Sequence, residues 1–426
     1  MIKRFLPKGE FGRNVLTLMT GATIAQAIPI AISPILARVY SPKDFGMLSV
    51  FASLATIFGT VATLRYELAI MLPESEDDAL NVGAIGVLTS IVLSLFLLAI
   101  AFFFNTPISE LLANKKVDPE AIAPWLYFVP ISVFFVGLYN VLNYISNRRK
   151  DYRDIAAAGV HRSVVLAATQ LSVGLVQQGA LGLIVGRILS GIAAIILLLK
   201  KALSIKDIGS RIHIAQMKTI GYRYRDFPLF SMPAALSNTS ATNVTNVLVS
   251  AFYSPTTLGF YSMTQRILGM PSVLIGRAVS QVFFQQATEE KNKTGVSIKT
   301  FDKTVNKLAL IAIPGFAVIF IVVEDVFAFV FSEKWRISGT YARYLVPLFA
   351  IRFVVSTVSL TNIVFEKQKL GLAWQVGLLV LTLGSICYAN YASYSFEQFL
   401  ILYMAVCVAH YLLYYFILRA VAMGKL

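Results

Sequence analysis

The chain has 426 residues, 57% hydrophobic and 14% charged, with a net charge of +15 and a mean hydropathy of +0.71. That balance excludes an ordinary soluble domain and indicates a polytopic membrane protein. Its two cysteines, Cys387 and Cys407, sit in apolar runs without CxxC spacing and with only three histidines in the chain, which argues against a disulfide framework or a zinc site.

Basic residues precede the first apolar run as in a signal peptide, but the run continues to about Ala37 without a small-residue cleavage site. A retained first span is therefore expected. A membrane span needs about 20 mainly apolar residues. Twelve stretches fit: 14–39, 46–70, 79–104, 120–146, 155–176, 180–199, 226–252, 257–288, 303–331, 340–365, 370–391 and 396–419. The longest polar interruption, 201–225, separates two sets of six and is rich in Lys and Arg. The expected fold is all-α, with twelve transmembrane helices in two pseudo-symmetric six-helix bundles, residues 1–200 and 226–426, joined by a cytoplasmic basic linker.

A repeat supports duplication. Tyr40-Ser41-Pro42-Lys43-Asp44-Phe45-Gly46 returns as Tyr253-Ser254-Pro255-Thr256-Thr257-Leu258-Gly259, an offset of 213, half the chain length. Ser-Pro opens a turn and Gly closes one, so each copy is a tight connection between two apolar spans.

Lys and Arg gather on the cytoplasmic side of short loops. With the N-terminus inside, that side carries 24 of the 37 and the opposite side five, so both termini are expected in the cytoplasm. Orientation and headgroup contact account for the net charge, and no nucleic-acid partner is implied. The longest outer connection, about Asn105 to Asp118, is too short for a catalytic domain. No Gly-rich phosphate loop, GxSxG elbow or HExxH occurs, so neither an enzyme nor a cofactor is expected.

Eight arginines fall inside spans: Arg38, Arg65, Arg162, Arg187, Arg266, Arg277, Arg343 and Arg352. The intraspan acids are Glu67, with Glu324 and Asp325 near a span end. A charge at the bilayer centre costs about 2.5–3.5 kcal/mol on insertion scales, so each needs a partner or water. The excess of positive charge points to an anionic substrate group. Arg38, Arg162 and Arg343 lie near span ends and are expected to snorkel. Arg352, far from either end, is the leading cavity cation. Arg266 and Arg187 come next, and Arg65 and Arg277 sit at nearly the same depth in the two halves.

The seventh span carries Thr239, Thr242, Asn243, Asn246 and Ser250 at the spacing of one helix face. Such a stripe suits a sugar-lined or water-lined cavity. Glu67 and His410 are candidates for ion coupling, although a histidine among tyrosines also suits a structural role.

The segment Leu36-Ala37-Arg38-Val39-Tyr40-Ser41-Pro42 with Phe45-Gly46, then Leu64-Arg65-Tyr66-Glu67-Leu68-Ala69-Ile70 with Leu72-Pro73, resembles polysaccharide flippases of the Wzx or O-antigen type. These belong to the multidrug/oligosaccharidyl-lipid/polysaccharide (MOP) exporter superfamily. The resemblance implies ion-coupled export of a polyprenyl-pyrophosphate-linked oligosaccharide from the cytoplasmic to the outer leaflet of a bacterial inner membrane. It implies as partners the lipid-linked glycan, membrane lipid, a proton or sodium ion, and polysaccharide-assembly proteins. Arg65, Arg277 and Arg352, supported by Arg266 and Arg187, would hold the pyrophosphate and glycan. Twelve spans, against the fourteen usual in the lipid II branch, argue against a peptidoglycan precursor. A drug or cation antiporter of the same superfamily is the alternative, but it would need membrane-embedded acids. A membrane polymerase or ligase would need outer loops the chain lacks, and a scaffold would not explain the buried arginines.

Overall fold

The computed structural model describes residues 10–113, 119–177, 179–205 and 208–426. Of the charges counted above, Lys3, Arg4, Lys8, Lys115, Lys116 and Lys206 lie outside these residues, as do the side chains of Arg13 and Arg277. The described residues are helical throughout, with no strand. The chain divides into two compact units, Met1–Thr239 and Ser240–Leu426.

The first unit begins with α1 (Glu10–Val39) and α2 (Pro42–Val61). The Ser-Pro repeat that joins them is a helix-start device. Ser41 is extended, its hydroxyl accepts from the Asp44 amide at 3.2 Å, and the Asp44 carboxylate accepts from the Ser41 amide at 2.8 Å. Pro42 occupies the first turn, where its missing N–H leaves no vacancy. Tyr40, just before the cap, is buried and donates its hydroxyl to the Gln170 carbonyl at 2.6 Å. It fits because Gly174 and Gly182 leave a slot, which a Cβ at either position would fill.

The span expected over 46–70 is shorter. Here α2 stops at Val61, and Leu64 and Arg65 take left-handed conformations, with φ 49° and 66°. The short helix α3 (Tyr66–Ala69) follows. The next span, α4 (Glu76–Ala113), is longer than expected: helix continues through Asn105, with a kink at Phe104 shortly before Pro107, so most of the supposed outer loop is helical. Then come α5 (Ala123–Leu126), α6 (Phe128–Arg148), α7 (Tyr152–Val176) and α8 (Leu181–Leu203).

The basic 201–225 segment is a structured cover rather than an extended tether. It contains α9 (Ile214–Arg223), and it is clasped to the start of α4. Asn81 donates to the Arg211 carbonyl and accepts from the His213 amide, both at 2.9 Å. The Arg211 guanidinium bonds Glu76 at 2.8 Å and also Asp77, two carboxylates that hold it charged and raise its pKa.

A π-helical stretch, Phe227–Ser231, leads into α10 (Met232–Phe252), within which the two units divide. Nine of its 21 residues are Ser, Thr or Asn. That polarity is why, among the described residues, eleven helices, and not α10, are long and apolar enough to cross a membrane by composition alone. Helix α11 (Pro255–Leu268) opens as α2 does, with the Ser254 hydroxyl accepting from the Thr257 amide at 3.0 Å and Pro255 in the first turn. A second π-helical stretch, Ser272–Gly276, separates α11 from α12 (Arg277–Thr294). After these come α13 (Ile298–Phe331), α14 (Arg336–Val358), α15 (Thr361–Val364), α16 (Gln368–Tyr391) and α17 (Phe396–Ala422).

Small residues bring these helices together, as expected where lipid offers no hydrophobic drive between helices. A Cβ at Gly339 of α14 would stand 2.5 Å from the Glu324 Cα of α13. Thr264 of α11 donates to the Ser338 carbonyl at 2.7 Å, and Ser338 donates to the Phe260 carbonyl at 3.0 Å. The ring of Phe396 meets those of Tyr253, Tyr261, Tyr341 and Phe399 at centroid distances of 4.8–5.8 Å.

Two substitutions test this reading in the detergent-solubilised protein by thermal unfolding. Gly182→Val, which drives methyl groups into Tyr40, should cost about 1–3 kcal/mol. Ser41→Ala, which removes only the cap, should cost about 1 kcal/mol. An unchanged midpoint for Gly182→Val would show that Tyr40 does not fill that slot.

Candidate functional site

Each unit contains a polar cavity. That of the first unit, about 290 Å³, lies among α2, α6, α7 and α8. Its cations are Arg65, Arg162 and Arg187, and its neutral polar groups are Thr56, Thr60, Ser132, Tyr139 and Asn140. Among the described residues no carboxylate lines it. Arg65 reaches it because the chain leaves helical geometry after Val61, so a left-handed turn carries the guanidinium. One side of that guanidinium meets the buried Glu67 carboxylate at 3.3 Å, and Thr63 donates its hydroxyl to the other carboxylate oxygen. The Arg65 Nε is buried without a hydrogen-bond partner among the described residues. The Arg162 guanidinium lies 5.6 Å from the Tyr139 ring centroid, a cation–π distance.

The cavity of the second unit, about 270 Å³, is lined from α10, α11, α14, α16 and α17 and from the break after α11. Among the described residues Arg352 is its only cation, and it is exposed, its guanidinium 5.8 Å from the Phe349 ring centroid. Thr242, Thr245, Gln265, Thr382, Tyr403 and Tyr411 supply amide and hydroxyl groups. Ser272, in the π-helical stretch, also lines it and has a buried hydroxyl oxygen without a partner among the described residues.

The 213-residue offset maps one cavity onto the other. Thr56, Gly59, Thr60, Phe135, Val136 and Tyr139 line the first, and Gly269, Ser272, Val273, Leu348, Phe349 and Arg352 line the second. The duplication extends to the cavities, but their chemistry has diverged. Tyr139, over which Arg162 lies, stands in register with Arg352.

The candidates read from sequence are distributed accordingly. Arg65 and Arg187 share the first cavity; Arg352 and Thr242 share the second. Arg266, in the last turn of α11, does not line the cavity, whereas its neighbour Gln265 does. Arg277 begins α12, and its side chain lies outside the described residues. Thr239 is partly buried, Asn243 donates to the Thr242 hydroxyl at 3.1 Å, and neither these nor Asn246 line either cavity. The polar stripe on α10 is thus represented at the cavity by Thr242 and by Thr245, three residues further on.

Arg162 is a residue that sequence reasoning assigned elsewhere. Its position near a span end pointed to headgroups, but the structure turns it onto the first cavity. Its depth carried no signal of this. Arg343 pairs with Glu324 at 3.5 Å, and Arg38 is exposed. Of the ion-coupling candidates, Glu67 is engaged by Arg65 and Thr63. His410 stacks on Trp374 at 5.6 Å, with its Nε2 3.0 Å from the Trp374 carbonyl. Among the described residues no His, Cys, Asp and Glu side chains gather in the way a metal ion requires.

Known structures share this architecture. The lipid II flippase MurJ, in an inward closed conformation, superposes with a TM-score of 0.71 at 13% identity, over 97% of this chain and 90% of that one. An inward-facing multidrug resistance MATE transporter of the MOP superfamily gives 0.58 at 15% identity, over 95% and 100%. A MOP superfamily transporter from Pyrococcus furiosus, described as having a binding pocket of reverse polarity, gives 0.54 at 15% identity, over 96% of each chain. These likenesses establish the fold. No curated protein matches the sequence. A sequence profile described as polysaccharide biosynthesis protein matches residues 35–338, most of the chain, including the first cavity and the part of the second that comes from α10, α11 and the break after α11. The chain is a multi-pass membrane protein with the MOP transporter fold, and it belongs to this polysaccharide biosynthesis protein family.

Proposed function

We propose that the protein is a flippase that moves a polyprenyl-pyrophosphate-linked oligosaccharide from the cytoplasmic to the outer leaflet of a bacterial inner membrane, for assembly of an O-antigen-like surface polysaccharide. The observation that carries this reading is the first cavity, with three arginines, four hydroxyl groups and an amide, and no carboxylate among the described residues. A guanidinium stays charged at any pH a cell meets and presents paired donors that match phosphate oxygens. Holding three of them, each partly buried, at membrane depth costs several kcal/mol unless an anion or water answers them. A pyrophosphate answers them, and the Thr, Ser, Tyr and Asn side chains around them are the partners that sugar hydroxyls use.

The second cavity supports the same substrate class. Arg352 stands beside Tyr403 and Tyr411, so a charged donor and aromatic surface adjoin hydroxyl and amide groups. We assign Arg65 and Arg187, with Arg162, to the pyrophosphate, and Arg352 to the glycan. The break at Ser272–Gly276 adjoins the second cavity and is a natural bend for rocking during alternating access. An ion gradient drives the cycle in this reading, with Glu67 and His410 as the ionisable candidates. The charge asymmetry of the loops supports cytoplasmic termini, and assembly proteins on that side are the expected partners.

The fold likeness to MATE transporters makes a drug or cation antiporter the second reading. A cation would need a carboxylate, and among the described residues neither cavity wall carries one.

Proteoliposomes containing the purified protein and a radiolabelled polyprenyl-pyrophosphate oligosaccharide separate the two readings. Transfer between leaflets is expected, with the initial rate falling at least about tenfold in Arg187→Ala and in Arg352→Ala, the size of one lost charged hydrogen bond. Stationary glycan lipid, with organic cations moving under a gradient, would replace the flippase by the antiporter. Collapse of the proton and sodium gradients should slow net transfer, and an unaffected rate would remove ion coupling from the reading.

A further inference from the structure

A third cavity, about 420 Å³ and open to the surface, lies in the second unit between α12 and α13. The two helices are antiparallel neighbours joined by a short turn at Gly295, so distance from that turn measures depth along the groove. The lining residues sort by that distance. Gln286, Lys303, Thr304 and Lys307 are the ones nearest the turn. Val279, Val282, Leu308 and Ile311 lie beyond them, with no polar side chain deeper in the groove among the described residues. One end is cationic and hydrogen-bonding, and the rest is apolar.

The cationic end is uncompensated. Lys303 and Lys307 are exposed, sit four residues apart on one face of α13, and enter no ion pair among the described residues. The acids of this region are already engaged. Asp302 accepts two bonds from the Arg419 guanidinium, both at 3.1 Å, and Glu290 accepts the Lys299 and Thr300 amides at 3.1 and 2.8 Å, capping the start of α13. Lys291, another nearby cation, turns away to donate to the Val364 carbonyl at 2.6 Å. Lys303 and Lys307 are about 6 Å apart at this spacing, close enough for both to meet one phosphate.

We propose that this groove is a binding site for an anionic membrane phospholipid, with its phosphate held between Lys303 and Lys307 and one acyl chain lying along Val282, Leu308 and Ile311. The segregation of charge and aliphatic surface along a single groove matches an amphiphile of one orientation, phosphate toward the Gly295 turn and chain away from it. This reading is independent of the transported substrate, because none of these residues lines either polar cavity.

The test is lipid binding to the purified full-length protein in detergent, followed by native mass spectrometry and thermal unfolding. The probes are dioleoyl phosphatidylglycerol, dioleoyl phosphatidylcholine, undecaprenyl phosphate and inorganic phosphate. Phosphatidylglycerol should bind at least about tenfold more tightly than phosphatidylcholine, as two surface lysines predict, and should raise the unfolding midpoint. Lys303→Gln combined with Lys307→Gln should bring the two lipids to equal affinity while leaving the lipid-free midpoint unchanged. Val282→Trp, which fills the chain groove, should weaken both lipids. Equal affinities in the unaltered protein, or a preference that survives the double substitution, would overturn the site. Tighter binding of undecaprenyl phosphate than of phosphatidylglycerol would overturn the phospholipid as occupant, and stabilisation by inorganic phosphate equal to that by lipid would overturn the chain groove.

Discussion

A guanidinium cannot give up its charge, and a bilayer offers it no solvent. Wherever this chain places an arginine at membrane depth, the surrounding structure must therefore supply an acid, an aromatic face, water or an external anion. Four different answers are visible. Arg343 has Glu324; Arg65 has Glu67 on one side only; Arg162 has the Tyr139 ring; Arg187 and Arg352 face cavities. The backbone bends to the same constraint. Two successive left-handed residues, Leu64 and Arg65, each adopt a conformation that costs a bulky side chain free energy. They end α2 early and put a charged side chain at a cavity wall rather than in lipid. Glu67 offsets part of that cost through an ion pair and the Thr63 hydroxyl.

Duplication explains how two such cavities arose, and divergence explains why they differ. The Ser-Pro starts of α2 and α11 are the same local device, with an extended serine capping a helix whose first turn holds proline. Six cavity positions follow the same offset. The first copy gathered three cations, whereas the second placed one cation among tyrosines, threonines and a glutamine. A substrate with a compact, highly charged group and an extended polar part would use such inequality, since the two halves then recognise different chemistry.

The membrane character, helical class and internal duplication were legible in the residues, as were most helix positions, because each rests on neighbouring side chains. Caps, apolar runs of sufficient length and prolines act within a few turns. The errors are also local in origin. The reading carried helix α2 on to residue 70 because nothing in the composition marks Val61 as an end, and it left α4 too short because Asn105 and Pro107 look like a loop but fall in helix. The polar helix α10 was read as a span from the length of its stretch and as a polar face from its spacing, although its hydropathy does not mark it as a span.

The site was less legible. Depth along a span pointed to Arg352, Arg187 and Arg266, of which the first two line cavities and the third does not, and it assigned Arg162 to the headgroups. Which face of a helix a residue occupies relative to a cavity depends on how that helix is rotated and tilted against partners far away in sequence. Contacts such as Tyr40 lodged between Gly174 and Gly182, or Ser338 bonded to Phe260, set those rotations. The order of residues thus fixes which segments are helical, where they start and how much charge they take into the membrane. The sharing of one cavity by Arg65, Arg162 and Arg187 is a property of packing, because it takes three separate segments, the outer two 122 residues apart, to bring them together.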